Sequence, residues 1–213
     1  MKKSLAIIAL LVWPLYLNDF YLAVLDNSQL GLLWTLDLVF YFVIPSVTLL
    51  ILHRKKVFSL SDFGLVEKPR WRQLWAAFGL CVVFIVLMEW NLRPWLRQTF
   101  PWQLFAGYPF PHEQPLRGIT IIYAALTAGI LEEIVYRGVV TTQLEKHIHS
   151  HATVLLLSCL IFAGCHWGRG PAKLLEAFIL AIPLTWWFMK KRSLWGPIAC
   201  HILYNLLIFT ELV

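Results

Sequence analysis

The chain has 213 residues, 59% hydrophobic and 14% charged, with a mean hydropathy of +0.68 and eleven tryptophans, more apolar surface than a soluble domain of this size needs. Composition therefore excludes a water-soluble globular protein and points to a polytopic membrane protein. The formal charge of +6 would suggest nucleic acid in a soluble chain, but here the cations cluster between hydrophobic runs, where they set topology, and nucleic-acid binding is discounted.

The amino end, 1–25, has the basic start and apolar run of a signal peptide. It lacks a small-residue cleavage site and stays apolar past Trp13 and Pro14 to Leu25, so it reads as an uncleaved first membrane helix. Asp26 to Gln29 predict a short turn. A second span runs from Leu30 to about Leu52, with a kink at Pro45, and His53-Arg54-Lys55-Lys56 stops it. The loop to Arg72 is polar and basic, and Trp71 and Trp75 sit where an aromatic belt belongs. The third span covers Leu74 to about Trp90. The connection from Asn91 to Gly118 carries five prolines, which predict no regular helix.

The fourth span, Ile119 to Val140, leads into an amphipathic tail, TTQLEKHIHSH, predicted at the membrane surface. Ala152 to about His166 form a short fifth span, broken by Gly168-Arg169-Gly170-Pro171. Ala172 to Met189 form the sixth, ended by Lys190-Lys191-Arg192, and Leu194 to Val213 the seventh. The fold class is all-α, a transmembrane helix bundle of about seven spans. With no internal repeat or low-complexity tract, residues 1–213 form a single domain. Lys2, Lys3, the 54–72 loop, Lys146 and Lys190–Arg192 fall on one side of this arrangement. The positive-inside rule then puts the amino terminus in the cytoplasm and the carboxyl terminus outside. Cys81, Cys159, Cys165 and Cys200 are scattered in apolar segments without a CxxC pair, so neither a disulfide framework nor a structural zinc site is indicated.

The fourth span holds the chemistry. Glu132, Glu133 and Arg137 interrupt an otherwise apolar run, and charges at that depth need a reason. Glu133 and Arg137 are i and i+4 and can pair on one face. Glu132 projects about 100° away, so its carboxylate is left free. A free carboxylate at membrane depth lines a wet cavity or an active site. Two further polar sites lie in predicted spans: His166, in Phe162-Ala-Gly-Cys-His166, and His201-Ile-Leu-Tyr-Asn205, whose spacing points an imidazole and an amide the same way. One carboxylate, two imidazoles and one amide suit attack by water on an amide bond. The carboxylate takes a proton, an imidazole shares that task or protonates the leaving amine, and paired donors stabilise the oxyanion. Glu133 and Arg137 read as a pair that orients the fourth helix. Asp19 and Asp37 near span ends are assigned no role, interfacial solvation accounts for Glu89 and Glu176, and His112, His147, His149 and His151 read as solvated loop residues.

Glu132-Glu133-Ile-Val-Tyr-Arg137, Phe162-xxx-His166 and His201-xxx-Asn205, in that order and each in a hydrophobic span, resemble the three motifs of the CPBP family. That family comprises CAAX-type and bacteriocin-processing intramembrane proteases, also called the Abi group. The similarity covers about 119–210, and Asp62-Phe-Gly-Leu65 adds a weaker match outside it. The resemblance implies an α-helical intramembrane endopeptidase of the bacterial inner membrane, with its cavity open to the cytoplasmic side. Its substrate is a peptide or protein cut near the membrane in a lipidated, bacteriocin-like or sorting-tail segment. Glu132 matches the catalytic glutamate, His166 its partner in activating water, His201 and Asn205 the oxyanion pair, and Glu133 and Arg137 supporting positions. One glutamate and two histidines could also hold zinc, but the glutamic, cofactor-free mechanism is preferred because it uses all four groups and the chain has no HExxH helix. A proton-coupled transporter and a non-catalytic scaffold or immunity protein are the competing readings. The first is disfavoured by small size and the lack of repeated halves.

Overall fold

Each of the seven apolar runs folds as a helix, because a chain in lipid must satisfy its backbone internally. A computed structural model describes residues 1–25, 29–105 and 107–212, so most of the turn at Asp26–Gln29 lies outside the described residues. The helices are α1 (Lys2–Val24), α2 (Leu30–Arg54), α3 (Trp71–Thr99), α4 (Leu116–Glu145), α5 (His151–Gly164), α6 (Gly170–Lys191) and α7 (Trp195–Phe209). Among the described residues there is no strand. Five helices are long and apolar enough to cross a membrane, whereas α5 has 14 residues and α7 has 15. At 1.5 Å per residue those two span roughly 21–23 Å, short of a core about 30 Å thick. The sequence thus gives seven helices but five crossings by length.

The proline expectations are corrected in detail. The helix of α3 does not stop at Trp90 but continues through Pro94 to Thr99, and only 100–115 is irregular. Pro45 and Pro94 each stand two residues past a π-helical segment, Asp37–Val43 and Ile85–Leu92. A proline clashes with the carbonyl four residues earlier, and a widened turn at that place relieves the clash. The predicted surface tail is also revised. Its first turn continues α4 with Thr141 and Gln143 buried, and the Thr141 and Ser158 hydroxyls meet at 2.8 Å.

The main core lies among α1, α4, α5 and α6, around Leu11, Leu15, Val135, Tyr136, Val139 and Phe188, all fully buried. A second cluster joins α3, α6 and α7 through Cys81, Phe84, Leu184, Cys200 and Tyr204. Large apolar side chains such as Phe20, Leu87 and Trp186 face outward, as lipid-facing positions do. The polar loops sort to two ends. At one end Ser4 Oγ meets His147 Nε2 at 3.0 Å, Arg192 grips Glu145 at 2.7 Å, and Leu194 N–H donates to Phe63 O at 2.9 Å. Most of the 18 lysines and arginines lie at this basic end. At the other end Leu104 N–H donates to Gly168 O at 2.8 Å and Arg117 reaches Glu211 at 2.9 Å. The chain is an integral membrane protein.

Candidate active site

The π-helical stretch of α4, Ala128–Val140, carries Glu132, Glu133 and Arg137, all buried. Arg137 Nη1 donates to Glu133 Oε1 at 2.9 Å, the i,i+4 pair expected from the sequence. Glu133 has a second partner that spacing did not reveal: His201 Nδ1 lies 2.7 Å from the same oxygen. Across the ring, His201 Nε2 lies 3.9 Å from Glu132 Oε2. Adjacent carboxylates on α4 thus bracket the two nitrogens of one imidazole on α7.

Gly129 makes that approach possible. A Cβ at Gly129 would stand 3.0 Å from Ile202 N and 3.2 Å from Ile202 Cα, so only a glycine lets α4 close on α7 beside His201. Arg137 also stacks on the Phe162 ring, its Cζ 4.0 Å from the centroid, a cation–π contact that occupies the face of the guanidinium.

His166 is placed by a different device. Helix α5 ends at Gly164, and the chain turns through Trp167–Arg169 into α6. Helix α1 pins that turn: Trp167 Nε1 donates to Tyr16 O at 3.1 Å, and Gly168 N–H donates to Asp19 Oδ2 at 2.8 Å. Asp19, assigned nothing from sequence, is therefore a buried anchor. Asp37, buried and hydrogen-bonded by Tyr21 and Asn18, ties α2 to α1 in the same way. Nor does interfacial solvation account for Glu89 and Glu176. Glu176 is buried, and Arg93 bridges the two.

A straight-helix count sets His166 and His201 at different depths. With the helix broken after Gly164, both histidines meet the edge-on Phe162 ring, 5.5 Å from His166 and 6.3 Å from His201, centroid to centroid. Glu132, His166, His201, Asn205 and Arg137 all line one cavity of about 440 Å³, while Glu133 stands behind it, fully buried. Among the described residues no hydrogen bond joins His166 or Asn205 to Glu132. Glu132 is not left wholly free, contrary to the sequence expectation. Tyr41 of α2 donates its hydroxyl to Glu132 Oε1, and Oε2 has no hydrogen-bond partner among the described residues. Tyr41 sits in an apolar run, and nothing in its sequence context distinguishes it from a lipid-facing aromatic.

Among the described residues no three His, Cys, Asp or Glu side chains come close enough to share an ion. His201 Nδ1 is engaged by Glu133 and Glu132 Oε1 by Tyr41. The cavity's lining bears on the cytoplasmic opening that the resemblance implies. The cavity is walled by the far half of α1 (Asn18, Asp19, Leu22), the near half of α2 (Asp37, Tyr41), Arg93, Phe105, Tyr108 and Arg169. It reaches from mid-bundle to the end opposite the basic loops, so a cytoplasmic basic end and a cytoplasmic opening cannot both hold.

Residues 114–207, which contain Glu132, Glu133, Arg137, His166, His201 and Asn205, match the family model described as Type II CAAX prenyl endopeptidase Rce1-like. No curated protein and no solved structure matches the chain.

Proposed function

Residues 114–207 belong to the CPBP/CAAX group of membrane proteases, and from that premise we propose that this protease hydrolyses its peptide bond with water activated by Glu132. Glu132 Oε2, buried and unpartnered on the cavity wall, takes the proton from water. His166, on the same cavity, shares that proton and delivers it to the leaving amine. His201 Nε2 and the Asn205 amide donate to the oxyanion that forms as water adds to the carbonyl. His201 Nδ1 lies 2.7 Å from Glu133, which fixes the ring, and Arg137 holds Glu133 in place. The observation that carries this reading is convergence. Four groups, one from α4, one from the turn after α5 and two from α7, each of a type that amide hydrolysis needs, face one cavity of about 440 Å³.

The mechanism is glutamic and metal-free, since each imidazole and carboxylate already has a role or a partner in it. The substrate is a peptide or protein with a membrane-proximal cleavage site, of the lipidated, bacteriocin-like or sorting-tail kind. The basic end faces the cytoplasm of a bacterial inner membrane and takes the amino terminus with it, so the cavity receives its substrate from the outer side. The test is cleavage by detergent-purified protein of a quenched-fluorescent peptide library. Glu132→Gln abolishes turnover while thermal unfolding stays near that of the native protein. Turnover that survives in the variant sinks the mechanism.

A further inference from the structure

Away from the basic end, Arg93, Arg97, Arg169 and Lys173 line the main cavity, and the same four line a side cavity of about 210 Å³ under 100–103. Two of them are matched. Arg93 donates to Glu89, Glu176 and, at 3.1 Å, the Tyr204 hydroxyl, and Lys173 Nζ lies 2.7 Å from Glu176. Two are not: among the described residues neither Arg97 nor Arg169 forms an ion pair or a side-chain hydrogen bond. The carboxylates nearest Arg169 are committed elsewhere, Asp19 to the Gly168 N–H at 2.8 Å and Glu176 to Arg93 and Lys173. Arg169 sits in the field of the Glu176 and Asp19 carboxylates and, more weakly, of the Arg93 and Arg97 guanidiniums, with no carboxylate bonded to its own.

A half-buried guanidinium such as Arg169, with an exposed one beside it on the same cavity and no carboxylate bonded to either, is a place where an anion is favoured. Leu104 N–H donates to Gly168 O at 2.8 Å, and Trp102 O packs so closely on Gly170, at φ +80°, that no side chain fits there. Residues 102–105 thus strap over the turn at Arg169, whose Nη2 lies 3.7 Å from the place a Cβ on Gly107 would take. The cavity side of Arg169 stays open to whatever occupies the space beside Glu132. Arg169 and Lys173 lie close enough to His166 for their charges to act on it, which puts cluster and candidate chemistry in one chamber.

We propose that Arg97 and Arg169 form an anion subsite that binds a carboxylate carried by the peptide substrate. A guanidinium presents a planar fork to a carboxylate, so two of them fix the end of an extended peptide as well as neutralise it. A cavity of about 440 Å³ is of small-ligand size, so it takes a short peptide segment and not a folded domain.

The proposal rests on the protease reading, but its test is binding, so the two fail separately. Calorimetry on the full chain compares acetyl-trileucine acid, acetyl-trileucine amide and acetyl-Leu-Leu-Glu amide. One of the two acids binds about ten- to a hundred-fold tighter than the neutral amide, and which one it is identifies a terminal or a side-chain carboxylate. Arg97→Gln with Arg169→Gln removes the preference and leaves binding of the neutral amide and thermal unfolding unchanged. Arg97→Gln alone, at an exposed position, cuts the preference several-fold and serves where the double variant does not fold. Equal binding of acids and amide to the native chain overturns the proposal, as does a preference that persists in the double variant. A third overturning result is displacement of the acid by phosphatidylglycerol in nanodiscs but not by phosphatidylcholine, which assigns the subsite to a lipid headgroup. If the native chain hydrolyses no peptide yet shows the acid preference, the protease mechanism falls and the subsite stands.

Discussion

Removing Glu133 separates what the buried pair does for the fold from what it does for the imidazole. In Glu133→Leu, Arg137 stays fully buried with its Nη1 partner gone and only the Phe162 face beside it. Breaking a buried pair by deleting one partner costs about 3–5 kcal/mol. In a chain of this length that lowers the unfolding temperature on the order of 10 °C. Glu133→Leu with Arg137→Met removes both charges and replaces them with apolar groups of similar bulk, so stability returns to within about 1–2 kcal/mol of native. His201 does not recover in the double variant, because its Nδ1 contact at 2.7 Å is still missing. A hydrogen bond to a charged group is worth about 1.5–3 kcal/mol, which at 1.36 kcal/mol per decade predicts a fall in kcat of roughly ten- to 150-fold. Thermal unfolding in detergent reads the first effect and peptide cleavage the second. A stable double variant with native turnover refutes the claim that Glu133 positions His201. A single variant as stable as the native chain refutes the burial argument.

Three further outcomes follow from the same geometry. Tyr41→Phe keeps ring volume but deletes the donor to Glu132 Oε1, so kcat falls by about ten- to a hundred-fold with KM little changed, as steady-state kinetics will read. Gly129→Ala drives a methyl to 3.0 Å from Ile202 N, costs about 1–3 kcal/mol in thermal unfolding, and lowers activity because His201 moves with its neighbour. Arg192→Ala breaks a two-pronged pair to Glu145 whose arginine is 47% exposed, so unfolding shifts by less than about 1 kcal/mol and cleavage is unaffected.

What the sequence made legible was whatever repeats or interrupts a pattern. Seven apolar runs marked seven helices, and Glu132, Glu133, Arg137, His166, His201 and Asn205 stood out because charge and amide are costly in hydrocarbon. Contacts between distant segments left no such mark. Tyr41 touches Glu132 across 91 positions and Asp19 meets Gly168 across 149. Neither residue is unusual where it stands. Arg169 was legible only as part of a helix break, and nothing in the sequence announced that Arg93 and Lys173 meet it, because their convergence is set by how α3 and α6 cross.

The angular argument from sequence failed at one instructive point. On a regular α-helix successive residues turn by about 100°, which separates Glu132 from the Glu133–Arg137 face and predicts one paired and one free carboxylate. The segment is π-helical from Ala128 to Val140, and a wider helix turns less per residue. Both carboxylates then reach the same imidazole, one at each nitrogen, 2.7 Å and 3.9 Å away. The pairing with Arg137 survives, since Arg137 Nη1 still finds Glu133 at 2.9 Å, so the ion pair read from spacing and the bracket missed by it share one oxygen. A regular α-helix here keeps the charge pair and loses the bracket. The widened turn is thus the feature of α4 that couples a structural ion pair to a group facing the cavity.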